Sequence, residues 1–254
     1  MDKYTPTKTI DEVISQMDKI IERCVREKSR LGYFAVLYRD VTIQVKEKIK
    51  KGFFENGPRM EKLDVVFANR YLKAIHQFWN GEKPRTSWLV AFDAAKNDEL
   101  LVLQHLLLGM NAHINLDLGI ASAQIAPGKS LTGLHKDFNK IMDLLSAMID
   151  GVETRIEKIS PAFKLIDELG GRTDEKIAEF SINKARDMAW DSAEKYAKET
   201  PEELYKSVKF SDDIVSLIGH KIAYPGLVLA SCLALIHVSE SKDVVKNINT
   251  LKLS

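Results

Sequence analysis

The sequence predicts an all-α protein, a single compact multi-helix domain of about eight to ten helices over residues 1–254 around one buried central helix. Three observations carry this reading. Apolar residues recur at three-to-four spacing along most of the chain. No stretch holds a sustained two-residue alternation of the kind a half-buried strand needs. Gly, Pro and Asn clusters punctuate the pattern, but no repeat, low-complexity tract or long linker divides it into domains.

The elements follow in order. Thr9 caps a first helix, with Glu12 three residues on as a capping box. Ile10, Val13, Ile14, Met17, Ile20, Ile21 and Cys24 form its apolar face. Gly32 is expected to break it, and a second helix runs roughly from Tyr33 to Lys51. Its stretch Val36, Val41, Thr42, Ile43 and Val45 favours strands, but Phe34, Leu37, Tyr38, Val41 and Val45 also share a helix face and the flanks are helical. After the Asn56-Gly57-Pro58 turn a third helix carries Leu63, Val66, Phe67, Tyr71, Ile75 and Phe78, ending at Asn80 to Pro84. A short helix around Trp88 and Phe92 precedes a long one, from about Glu99 to Ile125, capped by Asn97-Asp98.

A loop at Ala126 to Ser130 leads to a sixth helix, from near Leu131 to the Ser160-Pro161 break. Then come a short helix ending at Gly170-Gly171, a charged helix over Asp174 to Lys198, and a segment opened by Pro201. The apolar run from Ala223 to Val238 is interrupted by Pro225, Gly226, Ser231 and His237, too short and too broken to cross a bilayer, and reads as a buried helix. An amphipathic piece around Val244 to Leu251 closes the chain.

Composition sets the outer bounds on function. Lys and Arg number 37 against 36 Asp and Glu, a net charge of +1. That balance gives no general electrostatic reason to bind nucleic acid or an anionic membrane. Two cysteines, Cys24 and Cys232, make no disulfide framework, are expected as buried thiols, and fit a reducing, cytoplasmic compartment. The polar N-terminus has no apolar signal region. Several enzyme classes lack their motifs: there is no ExxH pair, no HExxH, no GxSxG elbow, no P-loop and no dinucleotide fingerprint. Nothing in the sequence sets an oligomeric state.

One segment stands apart. Leu101 to Leu118 reads LVLQHLLLGMNAHINLDL, apolar nearly all round, which marks a central helix. It nevertheless carries Gln104, His105, Asn111, His113, Asn115 and Asp117. Each unpaired neutral polar group buried there costs about 1–3 kcal/mol, so six of them require an internal network or a ligand. At about 100° per residue, His105, Gly109, His113 and Asp117 lie on one drifting stripe, and Gln104, Asn111 and Asn115 on another. His113 and Asp117, four apart, meet on the helix surface. The pair reads as a satisfied core hydrogen bond, as two ligands of one divalent metal (zinc or iron), or as an imidazole oriented by a carboxylate. His105 lies roughly 12 Å further along the axis, too far to share a metal with His113.

The motif LGMNAHINLDL (Leu108–Leu118) resembles that of domain of unknown function 5995. The stretches YFAVLYRDVT (Tyr33–Thr42), LDVVFANRYLKAI (Leu63–Ile75) and SINKARDMAWDSA (Ser181–Ala193) are also similar to it. The resemblance spans most of the chain and favours a single domain. It implies no established activity and assigns no catalytic role; it implies only that these polar stretches belong together.

Asp40, Asp64, Arg70 and Arg186 read either as an ion-pair network around the central helix or as separate rim charges. Arg186 and Trp190, four apart, can stack. His76 or His220 would supply a third metal ligand, while His135 and His237 fit helix ends. The first functional expectation is therefore a metal-assisted hydrolase or oxidase, with His113 and Asp117 as catalytic pair or ligands, His76 as third ligand, and Asn111, Asn115, His105, Arg186, Trp190 and Tyr38 around the substrate. The second is a binding module for a lipid-like or aromatic small molecule, lined by Phe67, Tyr71, Met110 and Trp190. The third is a helical domain whose polar segment only specifies the core.

Overall fold

A computed structural model describes residues 4–126, 131–163 and 182–252. Among these the chain is helical and contains no strand. Eleven α-helices are described: α1 (Ile10–Glu27), α2 (Leu31–Lys50), α3 (Gly57–Trp79), α4 (Thr86–Ala94), α5 (Val102–Ala112), α6 (Gly119–Ile125), α7 (Thr132–Ile159), α8 (Ile182–Tyr196), α9 (Pro201–Ala223), α10 (Leu227–Ser239) and α11 (Val244–Leu251). The expected short helix ending at Gly170-Gly171 and the start of the expected Asp174 helix lie outside the described residues, as does the side chain of Cys232.

Side-chain chemistry sets the helix ends. Thr9 Oγ accepts the Glu12 N–H at 3.2 Å, but the Glu12 carboxylate takes the Lys8 N–H instead of closing a capping box. The first break falls earlier than Gly32, at Lys28, whose φ of 50° lies in the left-handed region. Gly32 sits inside α2 for a different reason. A Cβ there would stand 2.9 Å from Cys24 Cβ and closer still to Ile248, so glycine is what lets α1 and α11 approach α2. At the start of α9, Thr200 Oγ accepts the Glu203 N–H while the Glu203 carboxylate accepts the Thr200 N–H, a complete box with Pro201 in the first turn.

The predicted helix from Glu99 to Ile125 is one rod with a defect. It starts later, at Val102, after an extended Leu101 whose N–H is accepted by Gln104 Oε1, and Glu240 Oε1 accepts the Val102 N–H at 3.0 Å. The other Glu240 oxygen accepts from the Ser160 hydroxyl, so one buried carboxylate joins the start of α5 to the ends of α7 and α10. Between α5 and α6, His113–Leu118 is wound as a π-helix. The rod is central, packing on α2, α4 and α9 through α5 and on α3 and α8 through the π-turn and α6.

One core, around Phe34, Tyr71, Trp88 and Leu106, fills the space among α1 to α5. A second, around Met60, Leu118, Phe138 and Ala189, lies between α3, the π-turn, α7 and α8. At Gly109 the Phe34 side chain lies directly against the rod, its Cβ 2.9 Å from where a Gly109 Cβ would be. The apolar helix α10 is not the buried helix expected from its composition. Ile236 is buried against Leu101, but Leu235 and Val238 are 69% and 85% exposed, so among the described side chains of α10 only part of its surface is packed. No helix among the described residues is long and apolar enough to cross a membrane.

Candidate functional site

The π-turn contains both His113 and Asp117. Such segments are rare, are usually single-turn bulges and often mark functional sites. Asp117 is 1% exposed, and three donors from three elements converge on it. Arg70 Nε of α3 donates to Oδ1 at 2.7 Å. Trp88 Nε1 of α4 donates to Oδ2 at 2.8 Å. His113 Nδ1 lies 3.5 Å from Oδ2, a long contact within the π-turn itself. Burial pushes the Asp117 carboxyl up, but the Arg70 guanidinium and the His113 and Trp88 bonds outweigh it and hold the group below the ordinary carboxylate range. Asp117 is therefore an ionised carboxylate in the protein interior.

His113 takes the complementary state. Burial pushes its pKa down against the pull of Asp117, and Arg70 pushes the same way as burial. The imidazole is neutral. Since the facing carboxylate oxygen can only accept, the ring proton belongs on Nδ1 and Nε2 is a bare acceptor. Nε2 is buried without a partner among the described residues. Phe67 stacks on the ring at 3.6 Å and 6°, and Tyr38 meets it edge-on at 4.4 Å. The Tyr38 hydroxyl is buried without a partner as well, and burial followed by the charges of Asp64 and Asp117 pushes its pKa far up. Asp64 behaves oppositely to Asp117. Burial, then Glu61, raises it to about 8, and its Oδ2 has no partner. Two buried carboxyl groups on neighbouring helices thus hold opposite protonation states at neutral pH.

The amides of the rod bond within the protein, although Asn115 Oδ1, His105 Nε2 and the Ser122 hydroxyl are buried without a partner among the described residues. Gln104 Nε2 donates to the Ile222 carbonyl at 2.8 Å, and Asn111 Nδ2 to the Val215 carbonyl at 2.8 Å. Asn115 Nδ2 donates to Asn111 Oδ1 at 2.9 Å. The Gln104 and Asn111 bonds fasten the rod to α9, and Asn115 braces Asn111 from within the rod. His105 packs beside Tyr33, and burial, then Arg30, pushes it down to about 3.

Several expected partners lie elsewhere. Of the suggested network Asp40, Asp64, Arg70 and Arg186, Arg70 reaches the rod. Asp40 pairs with the neighbouring Arg39 at 3.4 Å, and Arg186 pairs with the adjacent Asp187 at 2.9 Å. Trp190 packs on His135 and Phe138 rather than on Arg186. His76 bonds Asn80 at 3.0 Å and leans on Tyr4, and His220 is exposed. Among the described residues no three His, Cys, Asp or Glu side chains converge as metal ligands. Neither histidine completes a set with His113 and Asp117, because His76 is bonded to Asn80 and His220 points from the exposed surface of α9. Phe67, Tyr71, Met110 and Trp190 do not line one apolar pocket either. Tyr71 belongs to the first core and Trp190 to the second. The apolar space beside Tyr71, Trp88 and His105 is about 20 Å³, room for roughly one water.

Open space lies on the other side of Asp117. A cleft of about 640 Å³ runs between α3, the turn before α4, and α9, with Asp117, Arg70 and Trp88 in its lining. His113 is not in that lining. One wall is fixed by Asp212 of α9, whose Oδ2 accepts the Thr86 N–H at 2.8 Å and whose Oδ1 accepts the Ser87 N–H at 3.0 Å and its hydroxyl at 2.7 Å. That carboxylate caps α4 and locks Trp88 opposite Asp117. Sequence reasoning missed Asp212, Arg85 and Lys209. The signal for Asp212 was a carboxylate on the inner face of α9, three residues before buried Val215; nothing local marked the other two.

A family model described as Family of unknown function (DUF5995) matches residues 10–225. No curated protein and no solved structure matches the chain.

Proposed function

This chain belongs to the family of unknown function DUF5995, a membership that names no activity, and we propose its function from the cleft itself: a helical domain that binds a small molecule over the π-turn. One observation carries the proposal. A cleft of about 640 Å³, inside the roughly 300–1,000 Å³ range of ligand sites, ends on a buried, ionised carboxylate held from three sides. In this reading Asp117, with both oxygens engaged, anchors the floor and holds Arg70 and Trp88 in position. Arg70 and Trp88 touch the ligand. His113 and Tyr38 form the aromatic backing that keeps Asp117 in place. Asn111, Asn115 and His105 hold the rod to its neighbours.

The geometry gives less support to metal-assisted hydrolysis or oxidation at His113 and Asp117. Both Asp117 oxygens are already engaged, His76 is spent on Asn80, and the imidazole does not line the cleft. A lipid-like ligand is not favoured either, since the cleft lining is rich in Lys, Arg and Asp.

Native mass spectrometry of the purified chain, beside a Gln124→Trp variant, tests the proposal. Gln124 is exposed and lines the cleft, so an indole there fills the space without disturbing the core. The wild-type protein is expected to retain a small molecule, or to gain thermal stability from one in a metabolite library, and the variant to lose that response. At a concentration about 100 times Kd the gain is about 2.7 kcal/mol. A wild-type protein that retains nothing and is stabilised by nothing overturns the proposal.

A further inference from the structure

The cleft has a charge problem that the protein does not resolve by itself. Its lining includes Arg70, Lys73, Lys83, Arg85 and Lys209, against the carboxylates of Asp117 and Asp212. Both carboxylates are committed. Asp117 is taken by Arg70, Trp88 and His113, and Asp212 by the first turn of α4. Because Asp212 already caps that turn, the helix end contributes no open anion site. Arg70 is anchored through Nε alone, so among the described residues its two terminal amino groups are uncommitted. Lys73, Lys83, Arg85 and Lys209 make no ion pair with a described carboxylate, in a chain whose net charge is only +1. Burial and the like charge of Arg70 push the Arg85 guanidinium down from its ordinary value, against the attraction of Asp212 and Asp117. Lys73, Lys83, Arg85 and Lys209 are solvent-exposed around the concavity, and like charges gathered along one concave surface sum to a positive field at its mouth.

We propose that the cleft takes a small molecule bearing a multiply charged phosphoryl group, with the Arg70 amino groups, Arg85 and Lys209 as its oxyanion ligands and Lys73 and Lys83 as flanking charge. This rests on the small-molecule reading above. The number of cations decides the class. Four lining cations make no close ion pair among the described residues, and a monocarboxylate would neutralise one of them. A phosphate carries about −1.5 to −2 at neutral pH, and a diphosphate more. Guanidinium groups supply the forked donors that match phosphoryl oxygens, and lysines supply point charge. The concave shape selects a small molecule over a nucleic acid, whose binding needs a basic face along a surface.

Calorimetric titration of the full chain with inorganic pyrophosphate, with acetate as the monoanion control, tests the proposal. Pyrophosphate is expected to bind, acetate not to, and affinity to fall as salt is raised. Arg85→Gln and Lys209→Gln are each expected to weaken binding by about tenfold or more with unchanged thermal unfolding. Lys206→Gln, which removes an exposed charge on the same helix outside the lining, is expected to leave affinity intact. Equal weakening by Lys206→Gln, or none by Arg85→Gln and Lys209→Gln, overturns the site. If pyrophosphate fails to bind but the wild-type protein holds an uncharged molecule that Gln124→Trp displaces, the phosphoryl assignment falls and the cleft reading survives. If neither binds, both fall.

Discussion

Replacing Arg70 by Met removes the one cation that touches Asp117 while keeping most of the side chain's apolar volume. In the native protein the guanidinium donates to Oδ1 at 2.7 Å, and the carboxylate is nearly enclosed, with 1% exposure. Breaking a buried ion pair by deleting one partner costs about 3–5 kcal/mol, because the survivor is an uncompensated charge. Asp117 keeps the Trp88 N–H and the His113 contact, so the lower end applies, about 3 kcal/mol. For a chain of this size that corresponds to a fall of about 6–12 °C in melting temperature.

The pH dependence separates this mechanism from a simple packing loss. In the wild-type protein the Asp117 carboxyl is held below its ordinary value. Its contribution is present above the unfolded pKa, about 3.9, and is lost only as pH falls through the lower folded value. It is flat between about pH 5 and pH 8. Without Arg70 the burial term, which pushes the carboxyl up, loses its main opponent. The folded protein then favours the neutral acid, so stability is retained below the unfolded pKa and drains away as pH rises through the new folded value. The deficit of Arg70→Met measured by urea unfolding is therefore expected to be larger at about pH 8 than at about pH 5. A deficit under about 1 kcal/mol, or one of equal size at both pH values, would refute the reasoning.

Three further outcomes follow from other contacts. Gly109→Ala sets a methyl group against Phe34 Cβ and its ring root, which cannot swing away; thermal unfolding is expected to show a loss of about 1–3 kcal/mol, and a loss near zero would mean α2 and α5 are not in contact here. Asp212→Ala strands the Thr86 and Ser87 N–H groups and is expected to cost about 1–2 kcal/mol and to slow deuterium exchange less at those two amides than in the wild-type protein; unchanged exchange would deny the cap. Asp64, raised to about 8 by burial, favours folding fully below its unfolded pKa of about 3.9 and loses that contribution as pH climbs through about 8. Asp64→Asn is thus expected to flatten the stability profile on the alkaline side, by an amount on the order of a few kcal/mol, and an unchanged profile would remove Asp64 from the list of buried neutral acids.

How far the sequence reached depends on which kind of information each residue carries. The helices were legible because a buried face writes itself into spacing: Ile10 to Cys24 reads as one stripe and folds as one. That Asp117 is buried was legible too, from the apolar residues on both sides. What holds it was not, because Arg70 and Trp88 stand 47 and 29 positions away and become neighbours only through the crossing of α3 and α4 over the rod. The π-turn was invisible for a related reason. Its extra residue per turn leaves no mark in an apolar run, so equal steps of about 100° placed His113 and Asp117 on one stripe while hiding the change of register between them. Composition misled at α10, where apolar residues all round suggested burial although Leu235 and Val238 stand exposed.

The same limit explains why the six polar residues of the rod looked alike in sequence and part company in the fold. Gln104 and Asn111 donate to backbone carbonyls of α9, and Asn115 donates to Asn111 while its own Oδ1 stays unpartnered among the described residues. Asp117 faces a gap where α3 and α9 diverge, and the gap is the cleft. A buried polar group next to a packed helix is a fastening, and the same group next to a void is a candidate binding site. Local sequence encodes the group, while helix crossing decides which of the two it becomes.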